Sequence, residues 1–119
     1  MSKVLVLDDD EDIASVVCLS LEMEGYESKF ITDFRQLETT LQGYHPDVLI
    51  MDIFLGDADG RQLCKKLKEN ETSTHIPVIL FSANKDASQD FKTYNAEAFI
   101  AKPFEVKDLI GTVQRVIAA

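Results

Sequence analysis

The sequence predicts a doubly wound α/β fold, a parallel sheet with helices on both faces. Three observations carry that expectation. Four short apolar runs each stop abruptly at a polar residue, the stretches between them carry apolar residues at helical spacing, and the two kinds of segment alternate along the chain. Runs this short and apolar on both faces are what strands buried in a parallel sheet require. Parallel neighbours in turn need right-handed crossovers.

The elements follow in order. Val4 to Leu7 is the first apolar run and ends at Asp8. Ile13, Val16, Val17 and Leu21 then make a helical stripe, closed by Gly25, a residue suited to a helix C-terminus. Glu27 to Ile31 is a weaker run that reads as an edge strand. Phe34, Leu37 and Leu41 mark a short helix expected to end at Gly43. Val48 to Met51 is the second strong run and stops at Asp52. Leu63, Cys64 and Leu67 mark the next helix, ending near Asn70. Val78 to Phe81 stops at Ser82. Asn84 to Tyr94 is the least periodic stretch; it is predicted to be helical, with Asn95 as a left-handed terminator. Ala98 to Ala101 stops at Lys102, and Val106, Leu109, Ile110, Val113 and Ile117 form the last stripe. With no repeat and no linker-like tract, residues 1–119 are expected to form a single domain.

Composition narrows the function. Twelve basic residues against twenty-one acidic ones give a net charge of −9, which argues against direct binding of nucleic acid or an anionic membrane by this chain. No apolar run approaches the ~20 residues that span a bilayer, and the opening Met1-Ser2-Lys3-Val4 does not read as a signal peptide, so a cytoplasmic location is expected. Cys18 and Cys64 form no CxxC pair and sit among apolar helical neighbours, which assigns both to packing.

In a doubly wound sheet the functional crevice lies beyond the carboxyl ends of the strands. The residues there are Asp8 and Asp9, Asp52, Ser82 with the small Ala83, and Lys102. Each alone has a plain explanation as a turn, a cap or a solvated side chain. Asp10, Glu11 and Asp12 are indeed best read as an acidic helix N-terminus. Asp8, Asp9, Asp52, Ser82 and Lys102, on four strand ends of one sheet, point instead to a common pocket. Three carboxylates held together repel unless one is protonated or a hard divalent cation joins them, so Mg²⁺ (or Mn²⁺) is the expected cofactor. Asp52, central in the sheet, is the candidate nucleophile toward phosphorus.

With these residues in place, the chain resembles the receiver domain of two-component response regulators over essentially its whole length. The resemblance is carried by Val4-Leu5-Val6-Leu7-Asp8-Asp9, by Pro46-Asp47-Val48-Leu49-Ile50-Met51-Asp52 with Asp59-Gly60, by Pro77-Val78-Ile79-Leu80-Phe81-Ser82-Ala83, and by Phe99-Ile100-Ala101-Lys102-Pro103-Phe104. It implies a flavodoxin-like (βα)5 sandwich with strand order 2-1-3-4-5. It implies that Asp52 is the phosphoacceptor, and that Asp8, Asp9, Asp52 and the backbone carbonyl of Phe54 hold the metal. Lys102 and Ser82 would neutralise phosphoryl oxygens, Ala83 would leave room for the phosphate, and Phe99 would be the aromatic that turns on phosphorylation. The implied partners are a sensor histidine kinase or phosphotransfer protein, a downstream target or output domain, and a second copy of the chain. Gly56 stands where such sequences commonly carry Pro, which implies a less rigid loop; Ser82 replaces the commoner Thr, and Phe99 the frequent Tyr.

Other readings fare worse. A flavin phosphate would meet repulsion from Asp8 to Asp12. A phosphatase with an aspartate nucleophile would want a second acid two residues on, where Phe54 stands. Calcium binding by Asp57 to Gly60 fails because Gly60 falls at the fourth loop position and Lys68 stands where a bidentate Glu belongs. A dinucleotide site lacks its glycine-rich turn. The expectation is therefore a phosphoacceptor signalling domain rather than a turnover enzyme, with a phosphorelay intermediate or a piece of a longer regulator as the alternatives.

Overall fold

A computed structural model describes residues 2–84 and 89–119. Five parallel strands, β1 (Lys3–Leu7), β2 (Glu27–Ile31), β3 (Val48–Asp52), β6 (Val78–Ser82) and β7 (Ala98–Ala101), form one sheet in the order β2-β1-β3-β6-β7. Counting only these five, that is the expected 2-1-3-4-5. A two-stranded hairpin, β4 (Phe54–Leu55) and β5 (Ala58–Asp59), stands apart from it directly after β3. The α-helices among the described residues are α1 (Glu11–Met23), α2 (Leu37–Tyr44), α3 (Gly60–Glu69) and α4 (Val106–Ala118).

Strand alternation divides the core in two. Val4, Val6, Val48, Ile50, Ile79, Phe81, Ala98 and Ile100 pack under α1 and α4, meeting Val17, Leu21, Leu109 and Val113. Leu5, Leu7, Leu49, Met51, Val78 and Leu80 pack under α2 and α3, meeting Leu37, Leu41 and Cys64. Every residue of β3 and β6 is buried, as central parallel strands demand. At the margin β2 alternates between exposed and half-buried residues before Ile31, the pattern of an edge.

Helix ends account for several residues singled out in the sequence. Asp10 caps α1, its Oδ1 accepting from the backbone N–H groups of Asp12 and Ile13, so the acidic run is a helix start as expected. Gly25 takes φ +92° behind α1, and Asn95 takes φ +65°. Gly43 is not a terminator. α2 continues to Tyr44 and closes on His45, which adopts φ 53° and donates its N–H to the Leu41 carbonyl at 3.2 Å.

The predicted helix from Asn84 to Tyr94 is corrected in part. Residues 85–88 lie outside the described residues, and Phe91–Tyr94 forms a single 3₁₀ turn rather than α-helix. That turn docks through Phe91, whose ring stacks on Phe99 of β7 at 6.3 Å. The loop after Asp52 forms a short hairpin not anticipated from the sequence. Gly56, at φ +70°, turns the tight Leu55–Ala58 hairpin, a conformation that proline cannot adopt.

Candidate functional site

The order of the sheet reverses between β1 and β3, so a crevice opens above their carboxyl ends. Asp52 closes β3 and shares the alternation of Val48 and Ile50; Asp8 and Lys102, one residue past β1 and β7, continue the alternation of Val4 and Val6 and of Ala98 and Ile100. One pleat phase therefore carries all three charged side chains to the same side of the rim.

There they meet. Lys102 Nζ donates to Asp8 Oδ2 at 2.8 Å and to Asp52 Oδ2 at 2.9 Å. Asp8 is fully buried and Asp52 nearly so, while Asp9 is exposed at the mouth. One carboxylate oxygen from each of Asp8, Asp9 and Asp52 lies within 4.8 Å of the others. Backbone N–H groups complete the cradle: Asp10 donates to Asp8 Oδ1 at 2.9 Å and Phe54 donates to Asp52 Oδ1 at 3.2 Å. Under the ammonium lies the buried ring of Phe81, 4.5 Å from Nζ, itself braced by Phe104.

Electrostatics follow from this packing. Burial pushes the Asp52 carboxyl above the ordinary carboxylate range, against the pull of the Lys102 ammonium and with the help of the neighbouring Asp8 charge. Burial alone would lower Lys102, but its hydrogen bonds to Asp8 and Asp52 carry it above its ordinary value. Three carboxylates against one ammonium leave two negative charges over, which one divalent cation cancels. The donors are all hard oxygens, so the residues present fit Mg²⁺ or Mn²⁺.

The remaining predicted residues are placed as follows. Ser82 is buried at the tip of β6, its Oγ accepting from the Asn84 N–H at 3.0 Å, and its carbonyl accepts from the Lys102 N–H at 2.8 Å, which ties two strand ends together. Ala83, next to it, is exposed. Phe54 is largely exposed. Phe99 is half-buried and packs against the core under α2 and α3, stacked on Phe91. Lys102 precedes Pro103 through a cis peptide bond. Cys18 and Cys64 are free and buried, and burial pushes the Cys64 thiol up to about 12, which suits packing rather than chemistry.

Two supports of the site, Phe81 and Gly60, lie within the motifs that carry the resemblance but had no role assigned from the sequence. Phe81 looked like any core residue, and only the aromatic platform it offers Lys102 distinguishes it. Gly60, the first residue of α3, donates its N–H to the Ile53 carbonyl at 2.7 Å, and a Cβ there would collide with the backbone oxygen of Asp52. A glycine opening a helix eight residues after the candidate nucleophile was the available signal.

Fold and rim together define a class: a parallel α/β domain whose crevice is acidic, oxygen-lined and spanned by Lys102. A family model described as the response regulator receiver domain matches residues 4–114, and the chain belongs to that family. Among curated relatives, the DNA-binding dual master transcriptional regulator RpaA of Synechocystis sp. is 29% identical over 98% of this chain and 49% of its own length. A putative response regulator from Chloroflexus aurantiacus J-10-fl superposes with a TM-score of 0.92 at 27% identity, covering 99% of this chain and 98% of that one. The chemotaxis response regulator CheY4 of Vibrio cholerae superposes with a TM-score of 0.88 at 28% identity, covering 98% of each chain. The chain spans about half the length of the first curated relatives it matches. Among the described residues no helix is long and apolar enough to cross a membrane.

Proposed function

We propose that residues 1–119 are a single receiver domain that takes a phosphoryl group from a histidine onto Asp52. The observation that carries this reading is the Lys102 ammonium held between the buried carboxylates of Asp8 and Asp52, with Asp9 completing the oxygen cluster.

An Asp52 oxygen attacks the phosphorus of a phosphohistidine as the P–N bond breaks. The electron pair stays with the imidazole, which takes up a proton, and the product on this chain is an acyl phosphate. The protein contributes position and charge neutralisation. Lys102 moves its donated hydrogen bond from a carboxylate to a phosphoryl oxygen over a short distance. Ser82, whose oxygen already accepts from Asn84, has its hydroxyl proton to donate. Ala83 adds no bulk beside the incoming group. Asp8, Asp9 and Asp52, with the backbone carbonyl of Phe54, would hold Mg²⁺ or Mn²⁺. Bound there, the ion neutralises phosphoryl oxygens and relieves repulsion among the carboxylates.

The donor in this reading is a sensor histidine kinase or a phosphotransfer protein in the cytoplasm. Phosphorylation then changes the face presented to a downstream protein, an output domain or a second copy, with Phe99 turning as part of the change. The receiver family is a signalling family, and the role is that of a stoichiometric switch. The experiment is mass spectrometry after treatment with acetyl phosphate and Mg²⁺. One phosphoryl group is expected, mapped to Asp52 and lost in Asp52→Ala. Modification elsewhere, or none at all, would overturn the reading, whereas slow donor consumption through hydrolysis and re-formation of the Asp52 acyl phosphate belongs to it.

A further inference from the structure

Arg61, the second residue of α3, makes contacts that a simple helix start does not require. Its backbone N–H donates to Asp59 Oδ1 at 2.8 Å, which caps α3. The guanidinium then grips the same carboxylate twice, Nε to Oδ1 at 3.2 Å and Nη2 to Oδ2 at 2.9 Å. Its third arm leaves the cap altogether: Nη1 reaches Asp90 Oδ2 at 3.3 Å, and the guanidinium carbon lies 5.6 Å from the Tyr94 ring centre. The side chain is only 25% exposed, so it is held rather than waving in solvent.

The two ends of this bridge lead to two different places. Asp59 pairs with Phe54 across the hairpin, and the Phe54 N–H donates to Asp52 Oδ1. Asp90 precedes the 3₁₀ turn Phe91–Tyr94, and Tyr94 is its last residue; the Phe91 ring of the same turn stacks on Phe99. Converting the Asp52 carboxylate to an acyl phosphate changes the acceptor facing Phe54 and adds negative charge beside the hairpin. The hairpin is tied closely to Asp52, since Gly60, which follows the hairpin, lies against the Asp52 backbone too tightly to admit a Cβ.

We infer that Arg61 is a positioning residue that couples the phosphoryl state of Asp52 to the packing of Phe99, by clamping the hairpin's Asp59 and the turn's Asp90 in one guanidinium. The inference rests on the phosphoacceptor reading. It depends on the fork geometry of arginine, since only a planar group with donors on separate edges serves two carboxylates and an aromatic face together. A lysine keeps the charge but satisfies one carboxylate at a time.

The test uses the full chain with acetyl phosphate and Mg²⁺, following phosphoryl gain by mass and the ring resonances of Phe91, Tyr94 and Phe99 by NMR. The parent is expected to gain one phosphoryl group and to shift all three rings. Arg61→Lys and Asp90→Asn are expected to fold and to gain the phosphoryl group, with the Phe91 and Phe99 shifts lost. Either variant transmitting the shift as the parent does would overturn the coupling and leave the phosphoacceptor reading intact. So would a parent that is phosphorylated with no response at Phe99. A parent that gains no phosphoryl group overturns both.

Discussion

Lys102 is held by charge, with two buried carboxylates on one side and the Phe81 ring on the other. Removing it in Lys102→Ala leaves two buried acids facing each other without a cation, a loss expected to cost about 3 kcal/mol at neutral pH. Denaturant unfolding should show that loss shrinking in millimolar Mg²⁺, because the ion replaces the missing charge. It should shrink in acid too. The Asp52 carboxyl is raised when folded, so ionising it costs stability as pH climbs from its ordinary range through the folded value, and protonation below that value removes the cost. Gly60 presents a steric rather than an electrostatic constraint. Gly60→Ala must push the Asp52 backbone aside, and is expected to lose about 1–3 kcal/mol and to slow phosphoryl uptake from acetyl phosphate. Asp8, Asp52 and Lys102 were legible from position, since each ends an apolar run at the rim of the sheet, and Asp9 follows directly on Asp8. Phe81, Gly60 and Arg61 were not. Their roles arise from contacts with residues distant in sequence or from what a missing side chain permits, and neither leaves a periodic trace.

At the scale of elements, the chain signalled its structure most clearly where burial is complete. β1, β3 and β6 are apolar on both faces because helices cover both, so the continuous runs could mean little else. The hairpin between Asp52 and α3 escaped notice because two-residue strands have no period to read. The stretch from Asn84 to Tyr94 misled for a related reason. Its apolar residues follow no stripe, and the described part docks through the half-buried Phe91 against Phe99, a single anchor that a 3₁₀ turn can supply. Helix termini divide in the same way. Asp10 behaves as its chemistry dictates, whereas α2 passes through Gly43 and uses His45 in a left-handed conformation usually left to Gly or Asn. Asp10→Ala should lower stability by about 1 kcal/mol through loss of the cap. Its backbone N–H still serves Asp8, so phosphorylation of Asp52 by acetyl phosphate should persist in that variant.

For the molecule as a whole, the measurable signature of the acidic crevice is a response to divalent cations. A ligand that binds only the folded chain raises its stability by mass action. Millimolar Mg²⁺ is therefore expected to raise the melting temperature, and Asp9→Asn to diminish the rise; an equal rise in the variant would argue against the cluster as the binding site. Alkali should act in the opposite sense. Lys102 is raised above its ordinary 10.5 by its two carboxylate partners, so its contribution to stability is complete below that pH and is lost as pH passes through the higher folded value. A steepening fall in melting temperature in that range, absent in Lys102→Ala, is the expected observation.

Because Asp8, Asp52 and Lys102 obey the same odd–even rule as the aliphatic residues beneath α1 and α4, reactivity and folding share one reading frame. Inserting or deleting one residue within β1, β3 or β7 would exchange the face under α1 and α4 for the face under α2 and α3 at every following position of that strand. Such a lesion would turn a charge into the greasy layer at the same moment that it removed one from the rim. A strand that slid by a single step would lose both its two-sided packing and the meeting of Asp8, Asp52 and Lys102.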